Sequence, residues 1–102
     1  MRLHYASEKL SNAIRYMACS NATLQKRLEG AHEEFCTLEP ADFPEDMSKR
    51  HAEILSRLTK EQGSVPSTTV VMSDDEAYEV ATLILDLFFA VEESVKNLPL
   101  SS

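Results

Sequence analysis

The sequence predicts an all-α fold, a small four-helix, mostly antiparallel bundle. Three observations carry that expectation. Ser73-Asp74-Asp75-Glu76 has the form of a capping box and opens an almost unbroken apolar run from Val80 to Val91, interrupted by Thr82 and Asp86. Upstream, Leu10, Ile14, Met17, Asn21, Leu24, Leu28, Ala31, Phe35 and Leu38 alternate four and three residues apart, a heptad spacing with one polar member, Asn21. The 102 residues include only two Gly and four Pro, too few for a turn-rich sandwich.

A chain of this length predicts one domain, 1–102, able to close a hydrophobic core without disulfides or metal. Residues 1–6 read as a short lead-in. Ser7 is a candidate cap for a first helix over 7–19, whose apolar positions are Leu10, Ala13, Ile14 and Met17. The heptad spacing then runs on without a break, and two structures fit it. One is a continuous helix from Ser7 to Leu38, about 48 Å long, which would protrude from a compact domain and imply a dimer. The other is a pair of helices, 7–19 and 21–38, with a bend at Cys19-Ser20-Asn21. Ser20 and Asn21 are good caps and poor interior residues, so the bend is preferred.

Gly30 lies inside the second helix, where it costs about 1 kcal/mol relative to Ala, and it marks close packing against a neighbour. Pro40 and Pro44 end that helix in a tight turn, from which Phe43 is expected to enter the core. A third helix over 44–62 carries Glu45 and Asp46 in its first turn, where the dipole favours acids. Its stripe is Met47, His51, Ile54, Leu55 and Leu58, and Gly63 is a natural stop. Residues 63–72 are rich in β-branched side chains and read as an extended crossover held by Val70 and Met72. The fourth helix, 73–97, places Ala77, Val80, Ala81, Ile84, Leu87, Phe88, Val91 and Val95 on one broad face. Leu83 and Phe89 fall outside it, about 60° to either side of Asp86. This helix is apolar nearly all round at its middle, which places it at the centre of a bundle or at an interface. Asn97-Leu98-Pro99-Leu100 is the expected stop.

The net charge is −7, unevenly spread. The first thirty residues carry five bases and two acids, whereas residues 63–102 carry seven acids and Lys96. An acidic body disfavours non-specific nucleic-acid binding by the whole molecule. Cys19 and Cys36 lack metal-ligand spacing and read as buried thiols of a reducing compartment. Met1-Arg2-Leu3-His4 is followed by polar residues rather than a secretory apolar segment, and no apolar run is long enough to span a bilayer. A soluble cytoplasmic protein with no membrane partner is expected.

No string in the chain has the form of a catalytic or cofactor motif, so neither an enzyme nor a cofactor is expected. Glu29-Gly30-Ala31-His32 has the Glu-x-x-His spacing of di-iron bundles, but His51 has Ser48 where the second motif needs Glu, so no metal site is assigned. His51 itself reads as a half-buried residue with a hydrogen-bonded ring. The expected function is that of a non-enzymatic acidic interaction protein, binding a protein partner or its own copy through the last helix. Leu83, Asp86, Phe89, Ala90 and Glu93 are the candidate surface, an apolar centre rimmed by acids. Acidic helical bacterial proteins of this size include inhibitors of basic nucleases and toxins, an analogy of class alone. The paired tyrosines of colicin-type immunity proteins are not found; Tyr5, Tyr16 and Tyr78 are isolated.

The alternative is a DNA-binding regulator. Met17-Ala18-Cys19-Ser20-Asn21-Ala22-Thr23-Leu24-Gln25-Lys26-Arg27-Leu28 resembles the turn and recognition helix of helix-turn-helix proteins. That resemblance implies nucleic-acid contacts from Asn21, Thr23, Gln25, Lys26 and Arg27. The string departs from the pattern at Ile14, Ala18 and Arg27, where a small residue, a glycine and an apolar residue are usual.

Overall fold

A computed structural model describes residues 1–99. The fold is all-helical, with α1 Leu3–Cys19, α2 Leu24–Phe35, α3 Glu45–Leu58, α4 Val65–Val71 and α5 Asp74–Lys96, and a 3-10 turn at Pro40–Asp42. There are therefore five α-helices among the described residues rather than the four expected. The fifth is α4, in the stretch read as an extended crossover.

α1, α2 and α3 all pack on α5. Ser73 caps it by accepting from the Glu76 backbone N–H at 3.1 Å. The reciprocal half of the expected capping box is not made, because the Glu76 carboxylate is held by Arg57 instead. Ala77, Val80, Ile84, Leu87 and Val91 are fully buried, one residue every three or four along the face. α1 and α3 both run antiparallel to α5. Ser7 of α1 meets Glu92 near the far end of α5. Arg57, late in α3, bonds Glu76 at the start of α5, and Ser94 reaches the Met47 sulfur at 3.9 Å. α2 folds back along α1, with the Tyr5 and Thr37 hydroxyls 2.7 Å apart at one end and Tyr16 against Gly30 near the other.

α1 begins at Leu3, so residues 1–6 are not a lead-in and Ser7 is not a cap. Leu3, Ala6, Leu10 and Ala13 are spaced three, four and three apart and are all buried, which carries the helix four residues further upstream. The continuous helix is overturned: α1 ends at Cys19 and α2 starts at Leu24. Ser20 and Asn21 lie in the bend, but the cap of α2 is Thr23, whose hydroxyl accepts from the Lys26 N–H. Ser20 accepts from Ala22 within the turn itself. α2 stops at Phe35 rather than Leu38, and Leu38 is buried from the following turn.

Phe43 enters the core from the turn after Pro40, as expected. That turn is tied down by Asp42. Its carboxylate accepts from Arg2 Nε at 2.7 Å and from the Glu39 N–H at 2.9 Å. α3 ends at Leu58, and the backbone then turns through two left-handed residues, Gln62 and Gly63, before Ser64. Ser64 caps α4 by accepting from Ser67, and Pro66 sits in the first turn, where its missing N–H costs nothing. The buried residues of α4 are Val65, Thr68 and Thr69, a helical i, i+3, i+4 set. Val70 does not hold the segment; it is 80% exposed. The Thr68 hydroxyl accepts from the Glu61 N–H and donates to the Ser64 carbonyl, so a buried polar residue fixes both sides of the turn. α5 ends at Lys96, at the expected stop; Leu100 lies outside the described residues.

Candidate interaction surface

The outer side of α5 has three strips. The strip facing α3 carries Glu76, Leu83, Ala90 and Ser94. Leu83 and Ala90 are partly buried against the core there. The middle strip is acidic, with Asp75, Asp86 and Glu93 all exposed and in no ion pair among the described residues. The third strip lies between the acids and α1. It carries Tyr78, Leu85 and Phe89, which are 69%, 37% and 57% exposed. Their spacing with Thr82 is four, three and four, a second seam parallel to the buried one.

The five expected partner-binding residues are therefore divided. Asp86, Phe89 and Glu93 are together in solvent, with the Phe89 ring against Phe88 at 5.8 Å between centroids. Leu83 and Ala90 face toward α3. Tyr78 and Leu85 were not singled out from the sequence, although their heptad spacing with Phe89 was readable. α1 covers one flank of α5 and leaves this seam at the edge of the contact. Between them is a shallow apolar hollow of about 340 Å³, walled by Ile14, Met17 and Leu24 on one side and Tyr78, Ala81 and Leu85 on the other. A second, separate hollow, of about 440 Å³, lies one turn further along α5 among Phe89, Glu92, Glu93, Val95 and Lys96.

The residues of the nucleic-acid reading lie at the α1–α2 bend and in the first turn of α2. Asn21, Thr23 and Lys26 are exposed. Lys26 approaches Glu29 at 3.5 Å. Gln25 and Arg27 are engaged within the molecule. Gln25 Nε2 donates to the Met72 carbonyl at 3.1 Å and to Asp74 at 2.8 Å. Arg27 donates through Nε to the Ala22 carbonyl at 2.9 Å and through Nη1 to the Met17 carbonyl at 3.2 Å, closing the last turn of α1. The antiparallel packing of α2 along α1 also differs from the steep crossing of a helix-turn-helix pair.

The perturbed titratable groups serve the fold. Arg57 bonds Glu76 in a two-pronged fork, with both contacts at 2.9 Å, and reaches Glu79 at 2.7 Å. The fork raises the Arg57 pKa and lowers that of Glu76. Asp42 is held below the usual carboxylate range, first by its hydrogen bond from Arg2, then by the Glu39 N–H, against the opposing cost of burial. His51 departs from the half-buried, hydrogen-bonded residue expected. It is 2% exposed, and its Nε2 has no hydrogen-bond partner among the described residues. Its ring lies 4.9 Å from Phe43 and 6.4 Å, edge-on, from Phe35. Burial pushes its pKa down, Asp42 opposes, and His32 adds to the lowering.

His32 is partly buried, set edge-on to Phe35 at 5.5 Å, and lowered by burial. The Glu29 carboxylate of the same Glu-x-x-His string accepts from the Thr69 hydroxyl at 3.1 Å and so ties α2 to α4. Cys19 and Cys36, expected to be buried, are both exposed free thiols, because they fall at the ends of α1 and α2 and off the buried face. No described helix is long and apolar enough to cross a membrane. Compared with known proteins, the chain matches no family model, no curated protein and no solved structure.

Proposed function

We infer that the chain is a non-enzymatic interaction protein that binds a protein partner or its own copy through the outer side of α5. The observation that carries this reading is Phe89. A phenylalanine 57% exposed on the helix that α1, α2 and α3 all pack against contributes nothing to the core through most of its ring. It stands with Leu85 and Tyr78 in one line, beside the acids Asp86 and Glu93. An apolar centre with a charged rim is the anatomy of a protein interface. Large aromatic side chains are the usual anchors of such surfaces. The non-enzymatic part is supported by the engagement of the perturbed groups: Arg2, Asp42, Arg57 and Glu76 pair across the fold, and His32 and His51 pack against Phe35.

The rival reading, a nucleic-acid regulator using residues 14–28, rests on exposed Asn21, Thr23 and Lys26 at the start of α2.

The test is a Phe89→Asp variant compared with the wild type by light scattering after size exclusion and by affinity capture. The side chain is largely solvated, so the substitution is expected to leave the fold and melting temperature intact. It should abolish a homo-oligomer or the capture of a specific partner. An unchanged elution volume with an unchanged set of captured proteins would sink the reading. Loss of a duplex-DNA complex in a Lys26→Glu variant, with Phe89→Asp silent, would favour the rival.

A further inference from the structure

Resting on that reading, we propose that the channel along the Tyr78–Leu85–Phe89 seam of α5, bordered by α1 in its first half, receives an amphipathic helix of another protein. This helix carries an apolar stripe and a row of Lys or Arg along one edge. The channel has the length and the floor for such a guest. Its two hollows lie on the same side of α5: the first is walled by α1 and the start of α2 opposite Tyr78 and Leu85, and the second is a depression along α5 alone, from Phe89 to Lys96. From Tyr78 to Lys96 the seam runs about 27 Å, five turns of a guest helix. The floor of the first hollow is apolar: Ile14, Met17, Leu24, Ala81 and Leu85, with Tyr78 at its edge. A helix laid in a groove meets such a floor with side chains at i, i+3, i+4 and i+7.

The charge pattern selects the guest. Asp75, Asp86 and Glu93 line one side of the seam, all exposed and in no ion pair among the described residues. A guest with bases along the facing edge would pair with this row, and one with acids there would be repelled. The same row argues against a second copy of this chain. An antiparallel two-fold pairing of α5 brings the same patch of both copies together. Its axis near the middle of the seam would set Asp86 against Asp86 and acidic flank against acidic flank, between molecules of net charge −7 each.

Three labelled synthetic helices test this by fluorescence anisotropy against the full chain at low salt. The first has Leu at three- and four-residue spacing with Lys along one edge. The second has Glu in place of Lys, and the third keeps Lys but has Gln in place of Leu. The Leu/Lys helix is expected to bind at least about tenfold more tightly than either of the others. Leu85→Asp should weaken that binding by about thirtyfold. The double variant Asp86→Lys, Glu93→Lys should weaken it by about tenfold and remove most of its salt dependence. Circular dichroism confirms that each variant is folded, and the double variant changes only solvated side chains.

The proposal is overturned if no peptide binds, or if the Glu helix binds as well as the Lys helix. It is equally overturned if Leu85→Asp leaves binding unchanged, which would mean unspecific attraction to an acidic surface. A wild-type dimer that Leu85→Asp dissolves would assign the channel to a second copy and would also overturn it. If Phe89→Asp abolishes capture of a natural partner while the basic helix fails to bind, the interaction reading stands and the chemistry assigned to the partner is wrong. If neither effect is seen, both fall.

Discussion

The phenol ring of Tyr16 occupies the space that a methyl group on Gly30 would take. Glycine in a helix interior is disfavoured by about 1 kcal/mol relative to alanine, so the local preference of α2 is set against its packing on α1. The atoms in the way are at the far end of the Tyr16 ring, and Tyr16 is 40% exposed, so the ring has solvent to move into. Gly30→Ala in the wild type is therefore expected to be nearly neutral, the helical gain offset by displacement of the ring. In a Tyr16→Ala background the same substitution should stabilise by about 1 kcal/mol. Urea unfolding of the four proteins measures the difference. Equal gains in both backgrounds would show that the ring does not compete for this space.

Arg27 and Lys26 are neighbours with opposite consequences. Arg27 bonds the Met17 and Ala22 carbonyls across the bend. Its removal leaves backbone acceptors at the end of α1 without their charged donor. Arg27→Ala should cost about 1–2 kcal/mol. Lys26 is exposed and, among the described residues, pairs with Glu29 alone, at 3.5 Å, so Lys26→Ala should change stability by less than about 0.5 kcal/mol. Thermal melts of the two variants separate these outcomes. Equal effects would contradict the bonding described for Arg27.

Stability should fall with acidification from near neutral pH because of His51. Burial lowers its pKa in the folded state, whereas an unfolded histidine titrates near about 6.5. Below that value the unfolded chain takes up a proton that the native state refuses. The stabilising contribution is therefore complete above the unfolded pKa and is lost progressively as pH falls toward the folded one. His32 is lowered as well and acts in the same sense. Asp42 opposes, but its carboxylate is already bonded by Arg2 and Glu39. In melts between pH 7.5 and pH 5.5, His51→Leu should show a clearly smaller drop in melting temperature than the wild type. Parallel curves would show that His51 is not the group responsible.

The Arg57 fork joins α3 to the first turn of α5. Its partner Glu76 has a lowered pKa, chiefly from the Arg57 hydrogen bonds. The linked stability is present above the unfolded glutamate value, near about 4.3, and is lost as pH drops through the lower folded value. The side chains of Arg57 and Glu76 are 29% and 25% exposed, so the pair is screened only in part. Glu76→Gln is expected to cost no more than about 1 kcal/mol at neutral pH, and less at high salt. A penalty independent of salt would point to packing rather than charge.

The last helix was legible because two signals agree there. Ser73 supplies the cap, and the apolar positions repeat with helical period from Ala77 to Val91. α4 was hidden because its seven residues are dominated by Thr and Val, whose χ1 restriction disfavours helix. Burial of Val65, Thr68 and Thr69, with the Ser64 cap, outweighs that preference. Ser7 misled for the opposite reason. Ser7 has the side chain of a good cap, but Leu3 and Ala6 continue the buried stripe upstream of it. Of the candidate surface, Asp86, Phe89 and Glu93 could be read from the wheel. That Leu83 turns toward α3 while Leu85 borders a hollow could not, since it depends on which flanks α1 and α3 cover. The thiols followed the same logic: position off the buried face, rather than residue type, decided their exposure, since Phe35 beside Cys36 is fully buried.

That α5 is the packing partner of α1, α2 and α3 also bears on the order of events during synthesis. The α1–α2 hairpin is joined by a short bend, so its contacts are close in sequence and need little loop closure. Its buried side chains nevertheless pack in large part against Ala77 to Val91. Growing from the ribosome, the chain therefore carries an uncovered apolar face until α5 has emerged, and the core closes in that later step.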